Sequence, residues 1–312
     1  MPLLTDRMNS IPPIPTTAES LGAPSAPAAA PIDFPSFAPR APWWGADLQT
    51  LRNMFRPRQS PLIAGPKTML QFPMEDGTGD ILLGLFDPSP APAGRPLAVL
   101  IHGLTGCAES HYMLATAEAL LREGLPVLRL NLRGAGPSRS QCRKQYHAGR
   151  TGDLRDVLAQ LPAELTCNGI VLVGYSLGAN MLLKLLGEGT PEGVIGAASI
   201  SAETRAIVQS VRTCYEFDDR FVAPRSGWAS ADEYYAVNSA AGFLGRIEAP
   251  TLVIHALDDP WIPATAYRLF DWQSNPWLMP LLPRGGGHVG FHGAGAEPWH
   301  DQCLIRFLRS LR

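Results

Sequence analysis

Short, wholly apolar runs along the chain alternate with segments whose apolar residues recur at helical spacing. The apolar runs occupy residues 97–101, 127–130, 170–173, 194–199 and 251–254, and helical spacing occupies 115–122, 151–161 and 177–186. A strand that is apolar throughout is buried on both faces, which is typical of a parallel sheet covered by helices. The alternation therefore predicts the α/β class.

Further elements are predicted at both ends of this alternation. Residues 68–86 predict two short strands joined by Asp76-Gly77-Thr78-Gly79, a loop sequence that accepts positive φ. Residues 264–272 predict a helix, and residues 277–282 predict a last strand in which Pro280 favours a position at the sheet edge. A closing helix begins near Pro298. We expect a mostly parallel sheet of about eight strands with helices on both faces.

Strand and helix meet at Ser176 in the stretch 170–186. Gly174 and Gly178 flank this serine in the pattern G-x-S-x-G, and their small size lets a strand turn sharply into a helix. Such a turn holds the serine in a strained conformation and directs the first free amides of the helix at a bound acyl oxygen. The stretch predicts a nucleophile elbow.

A serine nucleophile needs a general base, and the base needs a carboxylate. His288 follows a run of glycines after the last predicted strand and is the favoured base, with His292 as the alternative. The loop after residue 254 offers Asp258 and Asp259. Asp259 is favoured because it lies on the far side of the turn, and Asp258 is expected to stabilise that turn. The order serine, aspartate, histidine is that of the α/β-hydrolase fold.

A second glycine-containing loop follows the strand predicted at residues 97–101. It reads His102-Gly103-Leu104-Thr105-Gly106, and glycines here let the backbone come close to a substrate. The amide of Leu104, with that of Leu177 after the serine, is therefore predicted to form an oxyanion hole.

Composition excludes several classes of function. The net charge of −2 shows no basic bias, so nucleic acid is not an expected ligand. The five cysteines are odd in number and never spaced C-x-x-C, which favours reduced thiols and a cytoplasmic location over disulfides or a zinc site. No uninterrupted apolar run approaches the roughly 18 residues of a membrane span. We expect no metal and no cofactor, and composition leaves the oligomeric state open.

The domain organisation follows from two breaks in the pattern. Residues 1–41 are rich in proline and alanine and predict a flexible tail. Residues 42–58 are apolar enough to pack against the rest of the chain, so the predicted domain spans residues 42–312. Between residues 201 and 246 the alternation stops, and aromatic side chains accumulate among polar ones. This insertion is either a lid over the serine or a seal on the core, and both interpretations stay open.

Together these motifs resemble the YheT-like branch of the α/β-hydrolases. The resemblance covers residue 42 to the C-terminus and is carried by PWWGADLQT, by HGLTG with Ser110 and Tyr112 after it, and by NLRGAG, YHAGRTGDLRDVL, GYSLGAN, FDDRFVAPRSGWASADEYYAVNSA, HALDDPWIP and GGGHVGF. Asp47 stands where the family usually has a histidine. The resemblance implies a serine hydrolase with Ser176, Asp259 and His288 as its triad.

The expected function is hydrolysis of a carboxylic ester, either a small-molecule ester or an acyl lipid, through an acyl-serine intermediate. Two alternatives use the same fold. An acyltransferase would pass the acyl group to an alcohol instead of water, and a binding protein would keep the fold without the reaction.

Overall fold

A mixed sheet of eight strands lies at the centre of the computed structural model, which describes residues 31–55, 67–89, 94–202, 216 and 218–311. The strands are β1 (Thr68–Pro73), β2 (Ile81–Asp87), β3 (Leu97–Ile101), β4 (Val127–Asn131), β5 (Ile170–Tyr175), β6 (Val194–Ile200), β7 (Thr251–Ile254) and β8 (Leu278–Leu281). Their order across the sheet is β1-β2-β4-β3-β5-β6-β7-β8. β2 is antiparallel to both of its neighbours, and all other neighbours are parallel. The predicted fold class is confirmed.

Helices cover both faces of the sheet. They are α1 (Ala46–Phe55), α2 (His111–Arg122), α3 (Thr151–Ala159), α4 (Ala163–Thr166), α5 (Leu177–Gly187), α6 (Ala223–Arg225), α7 (Ala231–Asn238), α8 (Thr265–Leu269) and α9 (Trp299–Ser310). Short segments of other helix types occupy residues 136–141, 218–222, 240–242, 244–246 and 272–274. In the described ranges, none of the helices has the length and apolar character needed to cross a bilayer.

Side chains of the central strands divide between two apolar cores. In β5, Ile170 and Leu172 pack with α3 and α5 on one face, whereas Val171 and Val173 pack with α2 and α9 on the other. Successive side chains of a strand point to opposite faces, so a strand buried on both sides is apolar at every position. This explains the uninterrupted apolar runs in the sequence.

The two ends of the sheet agree with the sequence pattern. β1 and β2 form the predicted hairpin, and Gly77 and Gly79 in its loop have φ of 74° and 72°. At the far edge, β8 pairs with β7 and carries Pro280, whose missing amide proton costs no ladder bond at an edge.

The amino-terminal arm, defined as residues 31–55, overlaps the flexible tail predicted for residues 1–41. Within the overlap, Phe37 lies edge-on to Phe291 and Trp299, with ring centroids 6.0 and 5.6 Å apart. The indole of Trp299 donates a hydrogen bond of 2.6 Å to the Pro35 carbonyl. Ile32, Phe34 and Phe37, which lie between the prolines of this segment, pack partly buried against one of the two apolar cores. Residues 1–30 lie outside the described residues.

Of the insertion at residues 201–246, the structure describes residues 201–202, 216 and 218–246. Residues 203–215 and Phe217 lie outside the described residues. Tyr234 is buried, and its hydroxyl accepts a hydrogen bond of 2.9 Å from the Ala148 amide. The ring of Trp228 lies edge-on to His147 at 5.0 Å. These rings pack on the core, and a lid formed by the insertion stays a prediction.

Candidate active site

Ser176 occupies the turn between β5 and α5 with φ of 50° and ψ of −115°. A positive φ strains any residue with a side chain, and such strain concentrates at functional sites. Glycine makes the turn sterically possible on both sides. A Cβ on Gly178 would lie 2.4 Å from the carbonyl oxygen of His102, and one on Gly174 would lie 2.7 Å from Cα of Ala179. The G-x-S-x-G pattern is therefore required by backbone contacts.

The imidazole of His288 links Ser176 to Asp259. Its Nε2 atom lies 2.9 Å from Ser176 Oγ, and its Nδ1 atom lies 2.8 Å from Asp259 Oδ2. Because an ionised carboxylate can only accept hydrogen bonds, Nδ1 carries the proton and donates it to Asp259. Nε2 is then unprotonated and accepts from the serine hydroxyl. This arrangement suits a general base acting on a serine.

The carboxylate of Asp259 is also held by backbone amides. Its Oδ1 atom accepts hydrogen bonds of 2.9 Å from the amides of Trp261 and Ile262. Burial alone would raise the pKa of Asp259, but the hydrogen bond and charge of His288 and the Ile262 amide outweigh burial and lower this pKa. Asp259 is therefore ionised at neutral pH and can stabilise an imidazolium.

Asp258, the alternative carboxylate, supports the histidine loop from a neighbouring position. Its Oδ1 atom accepts a hydrogen bond of 2.9 Å from the Gly287 amide. The sequence assigned Asp258 to its own turn, but Asp259 accepts the amides of that turn and Asp258 reaches across. The reason is the pairing of β7 with β8, which places the loops that follow these strands side by side.

His292, the alternative base, is held by the amino-terminal arm. Its Nδ1 atom lies 3.2 Å from the Arg52 guanidinium, and its amide donates a hydrogen bond of 2.6 Å to Gln49 Oε1. Burial and then the charge of Arg52 lower the pKa of His292 to about 3. The structure brings His288, and not His292, to Ser176.

The loop that follows β3 approaches the serine closely. A Cβ on Gly103 would lie 3.0 Å from the Cβ of Ser176, so glycine lets the loop come this near. Two tyrosine hydroxyls hold the loop by accepting backbone amides. Tyr112 accepts from Gly103 at 3.0 Å, and Tyr146 accepts from Thr105 at 2.8 Å.

His102 fixes the start of the same loop. Its Nδ1 atom donates a hydrogen bond of 2.7 Å to the Gly103 carbonyl, and its Nε2 atom accepts one of 3.1 Å from the Leu132 amide. Burial lowers the pKa of His102 to about 4, so the ring stays neutral at neutral pH. In contrast, the amides of Leu104 and Leu177 have no acceptor within the part of the chain that the structure describes. These amides can therefore donate to a developing oxyanion.

Sequence reasoning missed the residues that hold the site in place. The hydroxyls of Tyr112 and Tyr146 and the side chains of Gln49 and Thr50 all bind backbone groups of the two functional loops. Their only signal was membership of the motifs that carry the family resemblance. A hydrogen bond from a distant side chain to a backbone amide leaves no periodic pattern in a sequence.

Exposed apolar side chains flank the serine and the histidine. Leu104 is 51% exposed on the loop after β3, and Trp261 is 49% exposed with its ring centroid 4.8 Å from that of His288. Large apolar side chains beside reactive polar groups are typical of sites that bind apolar ligands.

A separate cavity of about 420 Å³ lies at the end of the sheet away from Ser176, where the parallel strands begin. Its lining includes Pro96, Val171 and Ile195, which lie at the amino ends of parallel strands. Ser176 follows the carboxyl end of β5, where ligands of open α/β sheets bind. The cavity therefore lies at the wrong end of the strands to be the candidate active site.

Comparison with known proteins agrees with this fold. The profile of a family described as alpha/beta hydrolase fold matches residues 96–231. Over 267 residues the chain is 31% identical to YheT of Escherichia coli strain K12, provisionally named an esterase, covering 69% of this chain and 76% of YheT. It is 24% identical over 279 residues to the medium-chain fatty acid ethyl ester synthase/esterase 2 of Saccharomyces cerevisiae, covering 68% of this chain and 61% of that protein.

A solved structure shows the same architecture. An esterase of Pyrococcus furiosus superposes with a TM-score of 0.60 at 18% identity, covering 81% of this chain and 95% of that one. At this identity the likeness concerns the fold alone, whereas the match to YheT extends over most of both sequences. The chain belongs to the YheT-like branch of the α/β-hydrolases, a family of carboxylic ester hydrolases.

Proposed function

We propose that the protein is a serine hydrolase that cleaves carboxylic esters through an acyl-serine intermediate. Ser176 is the nucleophile, His288 the general base and acid, and Asp259 the carboxylate that fixes the histidine tautomer. The observation that carries this proposal is the continuous hydrogen-bonded chain from Ser176 Oγ through His288 to Asp259. The strained backbone of Ser176 supports it, since such strain marks an exposed nucleophile.

The reaction follows from these positions. His288 Nε2 removes the proton from Ser176 Oγ as the oxygen attacks the ester carbonyl carbon. The carbonyl electron pair moves to the oxygen, which accepts hydrogen bonds from the amides of Leu104 and Leu177. Collapse of this intermediate breaks the bond to the alcohol, which leaves with the proton from His288. Water then attacks the acyl-serine in the same way, releases the acid and restores the serine.

The substrate class is an ester with an apolar acyl or alcohol group. Leu104 and Trp261 supply apolar surface on the two sides of the reacting centre. An apolar substrate group that covers these side chains removes them from water and is bound more tightly.

Acyl transfer to an alcohol is the second candidate function. A yeast relative is named both a fatty acid ethyl ester synthase and an esterase. The same acyl-serine serves both reactions, and the acceptor alone differs. Gas chromatography of products formed in the presence of ethanol separates them, because transfer yields an ethyl ester and hydrolysis yields the free acid.

Hydrolysis of p-nitrophenyl butyrate by the wild type and by Ser176→Ala tests the proposal. We expect the variant to lose about a thousandfold or more in kcat/KM with its fold retained. Ser140→Ala is a matched control, since the Ser140 hydroxyl is exposed and donates to the Pro137 carbonyl. A Ser176→Ala protein with most of its activity contradicts the proposal. A wild type without activity toward esters or fluorophosphonates instead favours a binding protein.

A further inference from the structure

The loop that carries His288 has a strained backbone. Positive φ values occur at Gly286 (143°), Gly287 (59°), Val289 (55°) and Phe291 (48°). For the β-branched Val289 this conformation is a genuine outlier, because its Cβ crowds the following carbonyl. Strained backbone persists only where the surroundings hold it in place. The position of His288 therefore depends on contacts made to this loop by other elements.

Helix α1 supplies contacts on one side. Thr50 Oγ1 accepts a hydrogen bond of 2.8 Å from the backbone amide of His288 and donates one of 2.8 Å to the Ala46 carbonyl. The hydroxyl thus links the helix backbone to the backbone of the histidine itself. The two residues are 238 positions apart in the chain.

Gln49, the neighbour of Thr50, binds the end of the same loop. Its Oε1 atom accepts from the His292 amide at 2.6 Å, and its Nε2 atom donates to the His292 carbonyl at 3.0 Å and to the Trp43 carbonyl at 2.7 Å. The side chain is only 1% exposed. Buried polar groups with all partners present are rigid and costly to disrupt.

Close packing leaves the loop little room to move toward α1. A Cβ on Gly287 would lie 2.4 Å from the Ala46 carbonyl oxygen, and one on Gly290 would lie 2.5 Å from the Gln49 carbonyl oxygen. Asp258 holds the Gly287 amide from the other side at 2.9 Å. Of the contacts described, the hydroxyl of Thr50 is the one that acts on the His288 amide.

We propose that Thr50 is a positioning residue for the reaction, and that α1 with Gln49 and Thr50 forms a clamp that sets His288 at bonding distance from Ser176. The inference rests on the proposed function. Loss of the acceptor leaves a backbone amide without a partner, and the strained loop relaxes. A displacement of about 1 Å in a reacting group costs up to about a hundredfold in rate.

The test compares Thr50→Val, which keeps the shape and removes the acceptor, with Thr50→Ser, which keeps the hydroxyl. Thr166→Val is the matched control, since Thr166 is half-buried on α4 and its hydroxyl bonds locally to the Ala163 carbonyl. For each protein we would measure kcat and KM per active site titrated with a fluorophosphonate, the rate of labelling, and the melting temperature.

We expect Thr50→Val to lower kcat and the labelling rate by about tenfold or more, with KM changed by less than about twofold. Thr50→Ser should restore both rates. If Thr50→Val does not fold, Thr50→Ala is measured in its place. A variant with wild-type kcat per titrated site overturns the inference, whatever its melting temperature. A wild type that neither hydrolyses esters nor reacts with the probe overturns the proposed function instead.

Discussion

The Nε2 atom of His288 lies 2.9 Å from Oγ of Ser176, although 112 residues separate the two in the chain. Parallel pairing from β5 through β6 and β7 to β8 explains this approach. It places the carboxyl ends of these strands along one edge of the sheet, and the loops that follow them meet there. The proximity of the two residues is therefore a consequence of topology.

The paired aspartates should respond differently to the same substitution. Asp259→Asn leaves His288 Nδ1 facing an amide, favours the wrong tautomer and should lower kcat by about three to four orders of magnitude. Asp258→Asn keeps an oxygen that can accept the Gly287 amide, so the loss should be much smaller. Steady-state kinetics on a p-nitrophenyl ester measures both, and reversed effects would assign the carboxylate to Asp258.

The hydroxyl of Tyr146 should matter for the rate more than for the fold. Tyr146→Phe removes the acceptor of the Thr105 amide and frees the loop that carries the Leu104 amide. A displaced Leu104 amide would bind the oxyanion less well, and the oxyanion develops only in the transition state. We therefore expect kcat to fall about tenfold or more. Tyr235→Phe is the control, since its hydroxyl binds Asp218 in the insertion. Equal kcat values for the two variants would contradict this role.

The insertion at residues 201–246 should influence acyl-chain selection if it forms a wall of the site. Trp228→Ala then lowers the ratio of kcat/KM for medium-chain over acetyl esters, by about tenfold for each 1.4 kcal/mol of lost differential contact. Phe243→Ala is the control, because the Phe243 ring lies against Lys184 and Arg246, near the end of α5 that is away from Ser176. If Trp228→Ala lowers the melting temperature and leaves this ratio unchanged, the insertion packs on the core and does not form a wall of the site.

Stability should fall in mild acid because several histidines are buried in the neutral form. Burial, the largest cause, lowers the pKa of His102 and His255 to about 4 and that of His147 to about 3, from an ordinary 6.5. Below about pH 6.5, the unfolded chain binds protons on these histidines that the folded chain does not. The free energy of unfolding therefore decreases as the pH is lowered. This loss continues until pH reaches the lowered folded values.

Urea unfolding at about pH 7 and about pH 5 measures this loss. The midpoint should be clearly lower at the acid pH. His255→Phe should weaken the dependence, since phenylalanine can take the stacked position against Tyr267 and binds no proton. A midpoint that does not change between the two pH values would contradict the prediction.

Local pattern predicted most of the sheet, because burial on both faces constrains every residue of a central strand. The observed bounds of β3 and β7 agree with their apolar runs, and Pro280 indicated the edge. Helix α2 begins at His111, whereas the apolar period was visible only from Ala115. The first turn of α2 carries Tyr112, whose hydroxyl holds the Gly103 amide.

The supports of the site could not be predicted because they depend on which loops become neighbours. Gln49 and Thr50 act on backbone amides more than 200 residues away. For the dipeptide Asp258-Asp259, the position in the turn favoured Asp259 as the partner of the histidine, but it did not show that Asp258 would reach the Gly287 amide. The amides of Trp261 and Ile262 orient Asp259.

Mass spectrometry of the protein after reaction with a fluorophosphonate shows directly whether Ser176 is the nucleophile. We expect one adduct per chain, located by peptide mapping on Ser176, and no adduct on Ser176→Ala under the same conditions. Labelling should be slowed by several orders of magnitude in His288→Ala, because the serine then lacks its base. An adduct on another residue, or labelling of Ser176→Ala at the wild-type rate, would show that Ser176 is not the nucleophile.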